Sequence, residues 1–337
     1  MRYLDLFSGI GGFTLGIQQA YENLRDKGGR EQPREKRKYD GGDELHPESI
    51  GEPICAGFSE IDPYATKIYL KHFPSHKNYG DITRIIPEDL PDFDFLCGGF
   101  PCQAFSIAGK RKGFDDTRGT LFFDIARILR VKQPARFLLE NVKGLLSHDN
   151  GKTFRTIIAT LDELGYDLQW QVLNSKNHGV PQNRERIFIV GHLRGSSRPQ
   201  VFPLGEDVSA LTTKGGNYIN QLNSPTHSNN RIYGENGISP ALNTAQGGNR
   251  QPKIINPKML NFKGRDGECP AITATSYKEP PVVLAQRIRR LTPTECERLQ
   301  GFPDGWTEGV SDSQRYKTLG NAVTVNVIKH IVRRILQ

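Results

Sequence analysis

Short apolar runs alternate with stretches of helical spacing through the first 195 residues. "RYLDLF", "ICAGFSEID", "FDFLCGGF", "ARFLLENV", "DLQWQVLN" and "RIFIVG" have the length and apolar content of buried strands. Between them, "FTLGIQQAYENL", "PYATKIYLKHF", "TLFFDIARILRV" and "TFRTIIATLDEL" repeat their apolar residues at three- and four-residue steps, the spacing of a helix with one buried face. This alternation predicts an α/β fold, a Rossmann-like and mostly parallel sheet with helices on both faces. Beyond residue 195 the helical spacing fades and Gly, Asn, Thr, Ser and Pro become frequent. A weak echo runs through "SALTTKGGN", "PALNTAQGGN" and "PAITATSY". It predicts short strands joined by loops, hence a smaller mixed region of mainly irregular and β structure. Helical spacing returns in "TPTECERLQGF" and "NVIKHIVRRILQ".

One segment interrupts the first half. Residues 25–52, "RDKGGREQPREKRKYDGGDELHPESIGE", mix both charge signs with Gly and Pro and carry almost no apolar residue. They read as a solvated insertion after the first helix, in preference to a DNA-binding arm. The 337-residue length suits one large domain and a smaller one, and the apolar runs are far too short to cross a bilayer. A soluble protein of the cytoplasm, without membrane contact, is therefore expected. The net charge of +8 points to an anionic partner, nucleic acid first, although it also fits a merely basic enzyme. Five scattered cysteines without a C-x-x-C pair argue against both a disulfide framework and a zinc cluster. In a reducing compartment a special cysteine would be special for its reactivity.

The candidate chemistry gathers at the predicted strand ends. "DLFSGIGGF" puts Gly9, Gly11 and Gly12 between the first strand and its helix, where a ligand can approach backbone N–H groups. The spacing is not that of a dinucleotide fingerprint, and a purely structural turn would look much the same. Glu60, at the end of the second strand, suits ribose hydroxyls, and Asp81 in "GDIT" falls at the neighbouring strand end unless it only caps a turn. No phosphate-binding lysine follows, so a nucleoside fits better than a nucleotide. In "FDFLCGGFPCQAFS", Cys97 lies inside the strand run and reads as inert. Cys102 lies in the loop beyond it and is a candidate nucleophile. Glu140 ends the next strand, where a carboxyl can donate a proton or hold a substrate. Arg184 and Arg186 precede the strand after that, either as cations of the site or as an ion pair with Glu185.

In this order, "DLFSGIGGF", "GFPCQAFS", "ENVKGLLSHDNGKTF", "QNRERIFIVG" and "GNAVTVNV" resemble the ordered motif set of the DNA (cytosine-5) methyltransferases of restriction-modification type. The resemblance covers residues 1–195 and about 286–337. It implies a catalytic, S-adenosylmethionine-binding domain over 1–195, completed by 312–337, with a target-recognition domain over 196–311. It implies that Cys102 adds to carbon 6 of a cytosine flipped out of duplex DNA. Glu140 would contact N3 and the exocyclic amine, and Arg186 the carbonyl oxygen, with Arg184 alongside. S-adenosylmethionine would be the methyl donor, with no metal. The cofactor set implied is Phe7, Gly9, Gly11, Glu60, Ile61, Asp81, Ile82, Gly99, Pro101, Leu121 and Asn321, of which Glu60 takes the ribose hydroxyls and Asp81 the adenine amine. "AGKRKGFDDTRGT" resembles the family's mobile loop that closes over DNA.

The chain departs from the family pattern at three places. Ile61 stands where some members have an aromatic residue, Ala241 where Thr usually precedes Leu242, and Ala108 where some relatives have serine. Expected partners are double-stranded DNA and a cognate restriction endonuclease acting separately, with the protein itself a monomer. The main rival is an RNA (tRNA) cytosine-5 methyltransferase on the same scaffold, against which the long Thr/Gly/Asn-rich region favours a duplex groove reader. A silent DNA-binding module fits poorly with Cys102, Glu140 and Arg186 all present. A nicotinamide-dependent dehydrogenase is disfavoured by the glycine spacing.

Overall fold

A computed structural model describes residues 1–28, 51–101, 121–205, 232–234, 239–242, 253–257 and 286–337. Cys102 with the loop after it, including Ala108, lies outside the described residues, as do most of the 25–52 insertion and most of the Thr/Gly/Asn-rich region with its echo.

The strands are β1 (Arg2–Leu6), β2 (Ile54–Ser59), β3 (Phe95–Gly99), β4 (Arg136–Val142), β5 (Tyr166–Asn174), β6 (Gln182–Asn183) and β7 (Glu185–Leu193). All but β6 join one sheet in the order β2-β1-β3-β4-β7-β5. The first four are mutually parallel, whereas β7 runs antiparallel to both β4 and β5. Residues 175–184 turn straight back from β5 toward β7, too short a path for a parallel crossover, which accounts for the inversion. The chain leaves β1 for β2 on one side and returns to β3 on the other. The carboxyl ends of β1 and β3 therefore flank the topological switch point, where open α/β sheets bind their ligands.

The helices are α1 (Gly12–Gly28), α2 (Pro63–His72), α3 (Leu121–Lys132), α4 (Lys152–Glu163), α5 (Pro293–Leu299), α6 (Asp312–Asn321) and α7 (Val325–Ile335). Strand alternation sorts the core into two layers. Leu4, Leu6, Leu96, Phe137, Leu139, Ile187 and Ile189 pack with α3 and α4, while Tyr3, Phe95, Cys97, Leu138, Phe188 and Val190 pack with α1 and α7. A third cluster joins Ile10, Phe58, Ala65, Tyr69 and Phe73 to Leu291, Cys296, Leu299, Phe302 and Trp306. The chain from residue 291 onward is therefore packed into the first half. The Trp306 indole N–H donates to the Ile10 carbonyl at 2.9 Å, which fixes that junction beside the glycine turn.

Four more strands are described: β8 (Ile232–Gly234), β9 (Ser239–Pro240), β10 (Lys253–Pro257) and β11 (Gln286–Arg290). β10 lies between β8 and β11 in a small sheet, and β9 pairs in parallel with β6. The helix α6 has no counterpart in the sequence reading, because "DSQRYKTLGN" carries too few apolar positions to display a period. Tertiary bonds hold it instead: Lys317 to Asp62 at 2.7 Å and the Tyr316 hydroxyl to the Leu291 carbonyl at 2.6 Å.

Candidate active site

The glycine turn is built on backbone strain and one carboxylate. Phe7 and Gly9 take left-handed φ values of 53° and 55°, and nothing lies within 4 Å of where a Gly9 Cβ would sit, so the turn is open to a ligand there. Glu60 Oε2 accepts from the Gly9 N–H at 2.9 Å, and Oε1 accepts from Ile61 and Asp62 at 2.8 and 2.7 Å. Burial pushes the Glu60 pKa up, and these three donors oppose it. Three of the roughly four acceptor positions of a carboxylate are thus used, which leaves Oε2 able to take a hydroxyl. Asn78 braces the residue from behind, accepting from Glu60 N at 3.2 Å and donating to its carbonyl at 3.1 Å. Ile61, with 74% of its surface exposed, extends beside it as an uncovered apolar face.

Asp81 is placed at the next loop as a cap. Its Oδ1 accepts from the Thr83 N–H and hydroxyl at 3.0 and 2.8 Å, which holds its pKa below the usual carboxylate value. Ile82 is buried behind it, Leu121 begins α3 against the same core layer, and Pro101 is exposed. Asn321 is exposed between the buried Gly320 and Ala322. The C-terminal segment reaches the glycine turn through Val323, whose Cγ1 lies 2.7 Å from where a Gly12 Cβ would stand.

The second half of the site sits on β3, β4 and β7. Gly99 pairs with Glu140 across β3 and β4, and a Cβ on Gly99 would come within 2.9 Å of Glu140 Oε2. A side chain at residue 99 would make the carboxyl shift from this position. Arg186 Nε meets Glu140 Oε1 at 3.0 Å, with side chains 19% and 12% exposed. Burial raises the Glu140 pKa, and Arg186 and then Arg184 pull it back. The next residue, Asn141, donates through Nδ2 to the Phe100 carbonyl at 2.9 Å and so fastens the loop that leads to Pro101. The sequence reading gave Asn141 no role. Its only signal was an amide directly after the strand-end carboxyl.

Arg184 stands apart from Arg186. It is 3% exposed, and its guanidinium donates to the carbonyls of Leu242 at 3.2 Å, Gly320 at 3.1 Å and Ala322 at 2.8 Å. Burial, reinforced by Arg186 and opposed by Glu140, draws its pKa down to about 9, and it stays charged at neutral pH. The Glu185 carboxylate pairs with Lys143, at 2.9 Å, while Arg186 Nη1 donates to the Glu185 backbone carbonyl at 2.8 Å.

A buried polar chain beneath the glycine turn was also missed. Asp5, fully enclosed, accepts from the Thr14 hydroxyl at 2.9 Å, which meets the Tyr69 hydroxyl at 2.9 Å, which meets His76 Nδ1 at 3.1 Å. Burial lifts the Asp5 pKa to about 7, with Glu60 adding to the rise and Thr14 and Cys97 opposing it. The folded protein therefore holds this proton between about pH 4 and 7, where the unfolded chain has released it. Stability should fall as pH rises through that window, by about 1.4 kcal/mol per unit from this group. Urea titrations from pH 5 to 8 should show a flatter profile for Asp5→Asn than for the wild type. Parallel profiles would refute the assignment.

A mostly parallel sheet with a nucleoside-type glycine turn after β1, and a carboxyl–arginine pair on β4 and β7 beyond the intervening β3, define a Rossmann-like α/β architecture. Over residues 1–337 the sequence matches the family C-5 cytosine-specific DNA methylase. It is 39% identical to the type II methyltransferase M1.ScrFI of Lactococcus lactis subsp. cremoris, across 100% of this chain and 78% of that one. It is 38% identical to M.HpaII of Haemophilus parainfluenzae, across 99% and 89%. It is 34% identical to M.HhaI of Haemophilus parahaemolyticus, across 99% and 94%. The fold is similar to that of a Spodoptera frugiperda DNMT2 mutant, with a TM-score of 0.65 at 18% identity over 100% and 99% of the two chains. The chain belongs to the C-5 cytosine-specific DNA methylases and is a DNA methyltransferase.

Proposed function

We propose that the protein transfers a methyl group from S-adenosylmethionine to carbon 5 of a flipped-out cytosine in a specific duplex DNA sequence. The observation that carries this reading is the meeting of two half-sites at one sheet edge: the Glu60-held glycine turn, and the Glu140–Arg186 pair beside Gly99. The open space at Gly9, the free acceptor position on Glu60 and the uncovered Ile61 fit the ribose and adenine of the cofactor. S-adenosylmethionine supplies a sulfonium-activated methyl group. Asp81 offers a carboxylate toward the adenine amine, and Phe7, Gly11, Ile82, Gly99, Pro101, Leu121 and Asn321 complete the pocket.

Cytosine carbon 5 is a poor nucleophile. Addition of the Cys102 thiolate to carbon 6 makes carbon 5 an enamine carbon. That carbon would form a bond to the methyl group as the methyl–sulfur bond of the donor breaks and leaves a neutral thioether. Loss of the carbon-5 proton then expels the cysteine. Glu140 binds N3 and the exocyclic amine, stabilising charge that grows on the ring as sulfur adds. Arg186 orients both the carboxyl and the cytosine carbonyl oxygen. The target base leaves the stack at a cost of a few kcal/mol, which contacts to the flipped base offset. Residues 1–195 and 291–337 form the catalytic unit, since the segment after 290 shares its core; the chain between reads the sequence. The protein works as a monomer in the bacterial cytoplasm, beside a restriction endonuclease that acts separately on the same site. Among the described residues no helix is long and apolar enough to cross a membrane.

Purified protein given labelled S-adenosylmethionine should label duplex DNA and leave transfer RNA unlabelled. Bisulfite sequencing should then place 5-methylcytosine in one sequence context. Transfer to RNA alone, or none to DNA, would overturn the proposal.

A further inference from the structure

Three stretches far apart in sequence meet on one buried guanidinium. Arg184 lies between β6 and β7, two residues before Arg186. Its Nη1 reaches the carbonyl of Leu242, just past β9, and its Nη2 reaches the carbonyls on either side of Asn321. The same junction is fastened by backbone and amide bonds. Ser239 N–H donates to the Pro181 carbonyl at 2.8 Å, and Gln182 and Asn183 pair with Ser239 and Pro240. The Gln182 side chain donates to the Leu299 carbonyl at 2.9 Å. On the far side, Gln300 donates to the Leu319 carbonyl at 2.9 Å and accepts from the Thr324 hydroxyl at 2.9 Å.

We propose that Arg184 is a positioning residue that couples the DNA-reading segment to the cofactor pocket. It does so by holding residue 242 and the two carbonyls flanking Asn321 in one geometry. This rests on the function proposed above. Arg184 is buried, and its guanidinium donates to backbone carbonyls, so it acts through the segments it holds. A movement of residues 239–242 on engaging DNA reaches Asn321 through a planar fork with a fixed angle between its donors, and reaches Arg186 through two residues of backbone. A lysine at this place keeps a charge but not the fork: a point charge on a flexible stem does not fix three carbonyls relative to one another. Because coupling is reciprocal, target DNA should strengthen binding of the cofactor product by the same factor that the product strengthens binding of DNA.

The test measures the affinity of full-length protein for S-adenosylhomocysteine by calorimetry. It is run alone, with a duplex carrying the sequence that bisulfite reading identifies, and with a scrambled duplex. In the wild type the target duplex should tighten binding by a factor in the range of about 5 to 150. In Arg184→Lys that factor should fall toward one, whatever the affinity without DNA. Ser239→Pro, which removes the N–H bonded to Pro181 but leaves Arg184 intact, should reduce the factor in the same way and carries the test if Arg184→Lys fails to fold. A merely structural role predicts a lower Tm and weaker binding with and without DNA, at an unchanged ratio. That outcome in both variants, or a wild-type factor of one, overturns the coupling. If the wild type methylates DNA while the coupling fails, only this inference falls; absence of methylation removes the function beneath it.

Discussion

Cys102→Ala should transfer no methyl group above the no-enzyme rate, and should form no adduct with DNA containing 5-fluorocytosine. Fluorine at carbon 5 blocks the elimination that would expel the enzyme, so the wild type should become trapped as a species that survives denaturing electrophoresis. The expected effect is total because without addition of sulfur at carbon 6 the ring does not become an enamine, and no other described thiol is fit to substitute. Cys97 is sealed inside β3 with its pKa pushed well up by burial, and burial lifts Cys55 to about 11 and Cys296 to about 12. Pro101, the residue before the proposed nucleophile, follows a carbonyl that Asn141 anchors, so Phe100 is held at a fixed point next to the strand that carries Glu140. S-adenosylmethionine affinity in the absence of DNA should be nearly unchanged in this variant. Wild-type turnover in the alanine variant would remove the cysteine from the mechanism.

Glu140→Gln should lower kcat by about 10²- to 10³-fold, the usual effect of removing one charge-stabilising contact from a transition state. The amide preserves size and one acceptor toward Arg186, but it holds neither the charge nor a transferable proton at N3. Burial, partly offset by Arg186 and Arg184, moves this carboxyl toward the protonated form it would need in order to donate there. Glu140→Ala is the less informative change, since it leaves the Arg186 charge poorly exposed and unpaired, a destabilisation of about 3–5 kcal/mol. Single-turnover rates with saturating duplex, set beside Tm values, separate the two effects. A glutamine variant with wild-type kcat would show that the carboxyl only positions Arg186.

The sheet and its helices were legible because burial on both faces writes continuous apolar strands, and helices on those faces write a three-to-four period. Strand direction has no such signature, so the reversal of β7 came only with the structure. Residues 182–183 and 239–240 make a two-residue pairing too short to leave any pattern. The two arginines of "NRERIF" look equivalent along the chain, yet the break between β6 and β7 turns Arg184 inward to carbonyls that no local sequence announces. Asp5 did carry a signal, a carboxyl inside an apolar strand, but the chain it joins runs through Thr14 of α1, Tyr69 of α2 and His76 of the loop after α2. Asp81 was legible in kind only: its capping of Thr83 is the ordinary fate of an aspartate before a turn.

The seating of α7 against α1 orders events during synthesis. Ile17 and Ala20 of α1 share their core layer with Val327, Ile328, Ile331 and Val332. At about 5–20 residues per second, tens of seconds separate the two helices as the chain leaves the ribosome. During that delay one face of the nascent sheet lacks its final cover. A growing polypeptide therefore cannot complete this core layer until residues 325–335 have emerged.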